Sequence, residues 1–393
     1  MKKRKIRDGV FWMGAVDWDR RLFDSLIPTP DGTSYNSYLV QGSEKTALLD
    51  TVDPGMADVL MAQLSDVPRL DYVVSHHAEQ DHSGAISCVL YKYPGAKVLT
   101  NPKCKEMLID HLSLSEDSFV TVDNNEAVSL GGKTLQFLYT PWVHWPETMV
   151  TYLREDKILF SCDFFGSHFA TTDLYAADEP RVFEAAKRYY AEIMMPFYRL
   201  IRGNLEKVRE LDVELIAPSH GPIYSNPGLI MDAYARWVSD DVKNVAVIPY
   251  VSMHGSTKKM VDHLTAALVE RKVMVERFDM TVTDLGKLAM SLIDAASIVF
   301  ATPTVLVGPH PLVQYAASFT GALKPTVKLV SVIGSYGWGG KSVEQIMGAV
   351  GKLKVETPDP VLCVGYPKEA DFQALDRLAD AIAAKHGELG LLP

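Results

Sequence analysis

Three separate segments of the chain place a side chain that can bind metal directly after an apolar β run. DYVVS leads into His77, KILFSC into Asp163, and VELIAPS into His220. In layered folds, site residues collect on loops that are held by a rigid sheet. The first half of the chain is therefore predicted to be sheet-based, with its metal-binding side chains at the ends of strands.

The run HHAEQDHSG holds the densest group of potential ligands, and His144 in PWVHWPE adds another. Alternating imidazoles and carboxylates can reach opposite sides of one loop, so a short turn could supply two adjacent metals. A set this rich in carboxylates favours iron or manganese over zinc. The candidate ligands are His77, Glu79, Asp81, His82, His144, Asp163 and His220.

Composition limits the remaining possibilities. With 393 residues, two domains are expected, and a net charge of -10 argues against nucleic acid as a partner. The sequence has no apolar run of signal-peptide or membrane-span length, so a cytoplasmic protein that does not bind membranes is expected.

The cysteines Cys88, Cys104, Cys162 and Cys363 form no CxxC pair. An appended rubredoxin or zinc-ribbon site is therefore not expected.

The elements of the first half are short strands and a few helices. TSYNSYLV, KTALLDTV, LDYVVSHH and AKVLT resemble strands, and AVSLGGKTLQFLYTP contains a hairpin signal at its GG turn. MVTYLRE and KILFSCD are predicted to form a second hairpin. A long helical pattern covers VFEAAKRYYAEIMMPFYRLIRGNLEKVREL.

The second half begins near residue 244, where strands and helices start to alternate. NVAVIPYVS, KVMVERFD, SIVFATP and VLCVGYP read as strands separated by helical segments, and VKLVSVIGSYGWGGKS leads into the helical segment VEQIMGAVGKLK. This order predicts a doubly wound parallel sheet in an α/β domain. The expected domains are residues 1–243 and 244–393.

A phosphate-binding loop is predicted after the first strand of this domain. Hydroxyls and free backbone N–H groups at a helix N-terminus can hold an anion, although a plain helix cap also explains such a turn. The loop lacks GxGxxG and GxxxxGK[ST], which argues against NAD and ATP. Its residues are Ser252, Met253, His254, Gly255, Ser256 and Thr257.

Two further loops point to the ligand. ATPTVLVGPHP and GSYGWGG follow the third and fourth strands, and the second carries Tyr336 and Trp338 among glycines. Aromatic side chains on a glycine-rich loop can lie along a flat ring that the backbone approaches closely. A phosphate loop together with such a ring-binding loop implies FMN.

These segments together resemble the flavodiiron proteins, also called A-type flavoproteins or rubredoxin:oxygen oxidoreductases. The likeness rests on HxExDH, the later His, Asp and His, HWP, SHG and GSYGW, and it covers essentially the whole chain. It implies a metallo-β-lactamase-like αββα domain followed by a flavodoxin-like domain. The implied activity is reduction of O2 to water, of NO to N2O, or of both, with electrons passed through FMN from a small carrier such as rubredoxin.

The resemblance also implies a role for each site residue. One iron is expected on His77, Glu79 and His144, the other on Asp81, His82 and His220, with Asp163 bridging them. The FMN phosphate is expected on residues 252–257, and the ring against Pro303, Thr304, Ser335, Tyr336, Gly337, Trp338, Gly339 and Gly340. Family dimers form head to tail, so the resemblance implies a homodimer. A tetramer built from two such dimers is the alternative.

Two positions depart from the family pattern. Asp24 in RRLFDSL stands where family members often carry a histidine that faces the metals, and PTVLVG replaces a more polar PTHNNG segment. Tyr189, Tyr190 and Asp24 are candidates for proton delivery. His76 is expected to be structural or exposed, and His168, His254 and His310 are not assigned to metal.

Two other functions fit part of the sequence. A zinc hydrolase of the metallo-β-lactamase class would share the scaffold and most ligands, but Glu79 and the second domain argue against it. An electron-transfer flavoprotein whose first domain only binds partners would leave the seven ligands without a role. The choice between O2 and NO stays open at this point.

Overall fold

The structure is a computed structural model that describes residues 2–177 and 179–393. The chain divides into two compact units, Met1–Val238 and Ser239–Pro393. Among the described helices, none is both long enough and apolar enough to cross a bilayer.

The N-terminal unit is built mainly from strands. They are β1 (Arg4–Arg7), β2 (Val10–Trp12), β3 (Ala15–Asp17), β4 (Leu22–Phe23), β5 (Ile27–Pro28), β6 (Thr33–Tyr35), β7 (Tyr38–Gln41), β8 (Thr46–Leu49), β9 (Tyr72–Val74), β10 (Lys97–Thr100), β11 (Phe119–Thr121), β12 (Ala127–Ser129), β13 (Thr134–Tyr139), β14 (Met149–Leu153), β15 (Ile158–Cys162) and β16 (Leu215–Pro218). The helices are α1 (Ala57–Gln63), α2 (Gln80–Ser83), α3 (Ile86–Lys92), α4 (Pro102–Leu112), α5 (Glu179–Tyr189), α6 (Tyr198–Arg209) and α7 (Pro227–Trp237).

Two mixed sheets form the centre of this unit. The first has the order β1-β2-β7-β8-β9-β10-β11, and the second has the order β12-β13-β14-β15-β16. In the first sheet the pairs from β8 to β11 are parallel. In the second sheet only β15 and β16 are parallel. The predicted hairpins β12–β13 and β14–β15 are both confirmed as antiparallel pairs.

Strand periodicity explains how the first sheet is buried on both faces. Tyr38 and Val40 belong to a core shared with residues of the second sheet, such as Phe137. Leu39 between them belongs to a second core, where it packs with helix residues such as Leu60. Successive strand side chains point to opposite faces, so one strand contributes to both cores. This produces the layered αββα arrangement.

The segment TSYNSYLV was expected to be one strand, but it is broken between β6 and β7. The side chain of Asn36 donates hydrogen bonds to the carbonyls of Pro218 (2.8 Å) and Gly221 (2.7 Å), and its backbone N–H donates to Ser219. These bonds take Asn36 out of the strand ladder. The break therefore fixes the loop that carries His220.

The long predicted helix is also interrupted. After α5 the chain forms a π-helical turn at Tyr190–Met194 and a 3₁₀ turn at Met195–Phe197 before α6 begins. Pro196 lies in the second turn, and proline lacks the N–H that a continuous helix needs. π turns are frequent at functional sites, and this one faces the cavity described below.

The C-terminal unit alternates strands and helices. Its elements are β17 (Lys243–Tyr250), α8 (Ser256–Glu270), β18 (Met274–Asp279), α9 (Leu285–Asp294), β19 (Ala295–Val305), β20 (Gly308–Pro309), α10 (Pro311–Leu323), β21 (Leu329–Tyr336), α11 (Ser342–Val350), β22 (Val361–Val364) and α12 (Glu369–Glu388). The sheet order is β18-β17-β19-β21-β22, with every pair parallel.

Helices cover both faces of this sheet. Residues of α8 and α12 pack with Ile248, Val299 and Ile333 in one core, and α9 and α10 contact β17 and β19 from the other side. The observed order is that of a doubly wound flavodoxin-like sheet. Its strands all end at one edge, where the predicted FMN loops lie.

Candidate functional site

The seven predicted ligands of the N-terminal unit come together in two groups. His77, Glu79, His144 and Asp163 can offer donor atoms that all lie within 4.8 Å of one another. Asp81, His82 and His220 form a second such group. Asp163 contacts both groups, because its Oδ2 faces the first and its Oδ1 faces the second.

Distances within each group match the spacing of ligands around one metal. In the first group, Glu79 Oε2 lies 3.1 Å from His77 Nε2 and 3.2 Å from His144 Nε2. In the second, His220 Nε2 lies 3.1 Å from Asp81 Oδ2 and 3.4 Å from Asp163 Oδ1. Ligands held at about 2.1 Å from a shared ion lie roughly 3.0–3.4 Å apart.

The unsatisfied polar atoms of this cluster fit a pair of cations. Both carboxylate oxygens of Asp81, Nε2 of His82 and Oδ2 of Asp163 are buried and have no hydrogen-bond partner among the described residues. Burying such groups without a partner costs several kcal/mol in a protein interior (roughly 1–3 each). Metal ions at the two groups would satisfy all of these atoms, and a donor set of four imidazoles and three carboxylates suits iron.

Charge compensation within the cluster is strong even without metal. Burial opposes protonation of His77, but hydrogen bonds from its ring to Glu147 and Glu79 raise its pKa to about 10. Burial also opposes protonation of His82, and the charges of Asp163 and Asp81 raise its pKa to about 9. The pKa of Asp163 lies well below its usual value, because the charge of His82 and hydrogen bonds from neighbouring imidazoles outweigh burial. The carboxylates therefore hold positive charge at this position.

Other side chains and carbonyls orient the ligands. His77 donates from Nδ1 to Oε1 of Glu147 at 2.7 Å, which also accepts from the backbone N–H of Ala78. His220 donates from Nδ1 to the carbonyl of Ser34 at 2.7 Å. Because each bond uses Nδ1, Nε2 of both rings faces the carboxylates of the cluster, where a metal would bind. No local sequence signal distinguishes Glu147, although it lies in the same HWPE segment as His144.

His76 has a structural role. It is fully buried, its Nδ1 donates to Oδ2 of Asp50 (2.7 Å), and Thr151 donates to its Nε2 (2.6 Å). The hydroxyl of Ser219 also donates to Asp50 Oδ2, at 3.3 Å. Asp50 thereby ties the loop before His77 to the loop before His220. Local sequence patterns do not indicate this link.

A cavity of 260 Å³ opens on the candidate metal ligands. Its wall includes the ligands Glu79, Asp81, His144, Asp163 and His220, together with Phe23, Asp24, Ile27, Trp145, Tyr189, Glu192 and Ile193. This volume lies below the usual range for drug-sized ligands, about 300–1,000 Å³. The cavity therefore suits a substrate smaller than a typical drug-sized ligand.

The candidates for proton delivery lie in different places. Tyr189 donates to Oδ1 of Asp163 at 2.8 Å. Asp24 lines the cavity, and burial together with the charges of Glu79 and Asp81 raises its pKa to about 6. Tyr190 instead donates to the carbonyl of Trp237 at 2.8 Å and does not line the cavity. Tyr189 and Asp24 therefore lie at the site, whereas Tyr190 does not.

The remaining histidines and Cys162 have other surroundings. His168 is buried with Nδ1 2.9 Å from the Thr33 hydroxyl, and burial lowers its pKa well below the usual value. His310 caps α10, and His254 is exposed. Burial raises the pKa of the Cys162 thiol well above its usual value, so it stays protonated and is a poor ligand.

The predicted FMN residues lie at the carboxyl edge of the parallel sheet. Helix α8 begins after Gly255, at φ 89°, without a side-chain cap. Ser252 accepts from the N–H of Lys258, and the Thr257 and Ser335 hydroxyls lie 3.4 Å apart. A Cβ added at Gly255, Gly337 or Gly339 would meet no atom within 4 Å. This open, hydroxyl-lined edge fits the phosphate and ring of FMN.

The segment containing Pro303 and Thr304 differs from the expected loop. Both residues lie in β19, which continues to Val305 and turns back to pair antiparallel with β20. The tip of this hairpin is Leu306 and Val307. Ser335 and Tyr336 likewise belong to the end of β21, and Trp338 follows in the loop with 94% of its surface exposed.

Comparison with known proteins supports both units. Residues 33–221 match the family model described as ODP family beta lactamase. A protein of Moorella thermoacetica named nitric oxide reductase is 36% identical over 392 residues, 97% of this chain and 98% of that protein. A protein of Methanothermobacter marburgensis named coenzyme F420H(2) oxidase is 35% identical, over 96% of this chain and 98% of its own length.

A solved structure extends the similarity to the whole fold. The rubredoxin oxygen:oxidoreductase of Desulfovibrio gigas aligns with a TM-score of 0.94 and 28% sequence identity. The alignment covers 99% of this chain and 100% of that one. The fold of each unit and the order of the two units along the chain are therefore shared with that protein.

Proposed function

Because the chain belongs to the flavodiiron, or A-type flavoprotein, family, we propose that it is an oxidoreductase that reduces O2 to water, NO to nitrous oxide, or both. The observation that carries the proposal is the position of Asp163. Its two carboxylate oxygens face two separate sets of ligands in one buried cluster. Glu79 and the flavodoxin-like second unit argue against the zinc hydrolase alternative, which would share most of these ligands.

The N-terminal residues would hold two iron ions. His77, Glu79 and His144 would bind one ion, Asp81, His82 and His220 the other, and Asp163 both. When bound, the irons and FMN supply the electrons for reducing a diatomic substrate. Glu147 and Ser34 orient His77 and His220, so that both imidazoles present Nε2 to the metals.

The cavity residues would control what reaches this cluster. Phe23, Ile27 and Ile193 supply an apolar part of the wall of the 260 Å³ cavity, beside the charged side chains of the cluster. A small neutral gas can lie against this part without losing hydrogen bonds. Tyr189 holds its proton beside Asp163 Oδ1, and Asp24 places a carboxyl group on the cavity wall. Tyr189 would orient the carboxylate of Asp163. Asp24 would exchange protons with a substrate or water molecule in the cavity.

The C-terminal residues would bind FMN. Residues 252–257 would hold the phosphate at the start of α8, where the backbone N–H groups and hydroxyls lie. Pro303, Thr304 and Ser335 to Gly340 would contact the ring. We assign the iron domain to residues 1–243 and the flavin domain to residues 244–393.

The electron donor and the assembly are part of the proposal. We expect a small rubredoxin-like carrier as donor, although the relatives carry names that refer to both rubredoxin and coenzyme F420H2. We also expect a head-to-tail homodimer, in which the FMN of one protomer serves the irons of its partner.

The direct test measures loss of O2 and, separately, of NO in a closed electrode chamber. The protein is loaded with iron and FMN and supplied with reduced rubredoxin. We expect at least one gas to be consumed, and the ratio of the two rates assigns the substrate. Asp163→Asn should abolish consumption, whereas Asp123→Asn at an exposed position should leave it unchanged.

Two results would overturn the proposal. If the loaded protein consumed neither gas, the diiron assignment would be wrong. If the zinc-loaded protein instead hydrolysed a β-lactam or thioester substrate and lost that activity in the Asp163 variant, the hydrolase alternative would replace it.

A further inference from the structure

The tip of the β19–β20 hairpin has an unusual backbone for its residues. Val305 pairs with Gly308, so the turn consists of Leu306 and Val307, with φ angles of 47° and 71°. Two-residue turns with both φ angles positive prefer Asn-Gly, since side chains with a branched Cβ clash in this conformation. Val307, with its branched Cβ, is therefore strained, and Leu306 also lies in a region that side chains other than Asn, Asp and Gly rarely adopt.

The same two residues also face solvent. Leu306 is 97% exposed and Val307 is 55% exposed. Burial within the C-terminal unit therefore cannot explain why apolar side chains stand here. Backbone strain that packing does not require is typical of functional positions.

The hairpin tip lies beside the glycine-rich loop. The backbone N–H of Lys341 donates to the carbonyl of Val307 at 2.6 Å. A Cβ on Gly340 would lie 2.6 Å from Cγ2 of Thr304 and 3.0 Å from the Val307 carbonyl. The backbones of the two segments are thus in contact, and the neighbouring loop carries the exposed Trp338.

We propose that Leu306 and Val307 form an apolar wall of the flavin site, which excludes water from the ring and lowers its midpoint potential. This inference rests on the proposed FMN site. The wall would be completed by Trp338 on the adjoining loop. Its ligand is the neutral isoalloxazine ring, whose contact with two aliphatic side chains replaces their contact with water.

The effect on potential follows from charge. Two-electron reduction of the bound flavin is FMN + 2 e⁻ + H⁺ → FMNH⁻, so the ring gains a negative charge. An apolar wall stabilises the neutral oxidised ring and disfavours the anion. The strained tip would therefore make the bound flavin a stronger reductant than it would be beside a polar turn.

The test compares the full chain with the double variant Leu306→Asn/Val307→Gly. This pair suits the turn conformation, so the thermal transition of the C-terminal unit should rise. The dissociation constant for oxidised FMN, measured by quenching of flavin fluorescence, should rise about tenfold. If binding of the hydroquinone is unchanged, that factor raises the two-electron midpoint potential by about 30 mV in a dithionite titration.

A matched control removes an exposed apolar side chain elsewhere on the unit. Val269 in the last turn of α8 is 58% exposed, and Val269→Asn should change neither FMN affinity nor potential. Equal affinity and potential in the wild type and the double variant would overturn the inference. Weaker FMN binding together with a lower thermal transition would also overturn it, because a folding defect would then explain the loss. If the wild type itself bound no FMN, the flavin part of the proposed function would fail instead.

Discussion

At the scale of single residues, Glu147 shows how groups that do not bind metal shape the site. It is 2% exposed, and one carboxylate oxygen accepts hydrogen bonds from both His77 Nδ1 and the N–H of Ala78. The charge of Glu147 makes His77 a stronger ligand, and its position sets the orientation of the ring. Loss of such a partner typically weakens metal binding about 10- to 100-fold.

We therefore expect Glu147→Ala to lower iron affinity about 10- to 100-fold, mainly at the ion bound by His77, Glu79 and His144. Glu147→Gln should fall between this variant and the wild type, because an amide oxygen still accepts one bond. Iron titrations in competition with a chelator measure the effect. Glu106→Ala, at an exposed position of α4, serves as the control. Unchanged affinity in Glu147→Ala would contradict the prediction.

His386 makes the stability of the C-terminal unit depend on pH. It is fully buried, donates from Nδ1 to Asn244 Oδ1 (2.8 Å) and accepts from the Ser297 hydroxyl (2.8 Å). Burial lowers its pKa below the usual 6.5. The unfolded chain therefore binds a proton more readily than the folded unit, and stability falls as pH drops below about 6.5.

The expected result is a lower thermal transition of the C-terminal unit at pH 5 than at pH 7.5. His386→Gln removes the titrating group and should flatten this dependence, although it should lower stability at neutral pH. Calorimetry of both proteins across this range provides the measurement. Identical pH slopes would show that another group is responsible.

At the scale of elements, the site depends on where strands end. The apolar runs before His77, Asp163 and His220 were sufficient to predict three strands and the positions of their ligands. Alternation of β and α segments after residue 244 predicted the parallel sheet. These features are local, because side-chain periodicity and strand termination can be recognised within about ten residues.

Features that depend on distant contacts could not be predicted. Glu147 reaches His77 across 70 residues, and Asn36 breaks its strand to bind carbonyls more than 180 residues away. The β19–β20 hairpin was missed because Leu306 and Val307 carry no turn signal. In each case, a tertiary contact or a strained backbone conformation outweighs the secondary structure that the neighbouring residues favour.

Gly334 and Gly337 lie near the same strand end, but the lack of a side chain has a different purpose at each. Gly334 allows two strands to pair closely, and Gly337 leaves space in the loop that follows. Gly334 pairs with Thr302 in the sheet, and a Cβ there would lie 2.1 Å from the Thr302 carbonyl. Gly334→Ala should therefore destabilise the C-terminal unit by about 3 kcal/mol or more. Gly337→Ala meets no atom within 4 Å, so it should fold normally but bind FMN more weakly.

Thermal unfolding and FMN titration of the two variants distinguish these effects. A stable Gly334→Ala protein would mean that β19 and β21 can move apart at little cost. Normal FMN binding by Gly337→Ala would mean that the loop does not approach the flavin closely.

At the scale of the whole molecule, the two compact units should respond to different ligands. Binding stabilises only the folded unit that holds the ligand, by about 2.7 kcal/mol when the free ligand is 100 times its dissociation constant. For units of this size, that energy raises the transition by roughly 5–10 °C. Iron should therefore raise the unfolding transition of residues 1–238, and FMN that of residues 239–393.

Scanning calorimetry of the apo protein, the iron-loaded protein and the FMN-loaded protein checks this assignment. Each ligand should move one transition and leave the other in place. A shift of both transitions by either ligand alone would show that the units unfold together.

The spread of the candidate iron ligands along the chain affects when each metal position can be completed during synthesis. The segment from His77 to His82 leaves the ribosome long before His220, and at typical rates of synthesis the delay is on the order of 10 s. During that interval the nascent chain presents a partial set of ligands, without the strand that carries the last histidine. The group that ends at Asp163 is complete before His220 has been made, whereas the group of Asp81, His82 and His220 must wait for it. The two positions therefore become able to bind metal one after the other, while the second domain is still being translated.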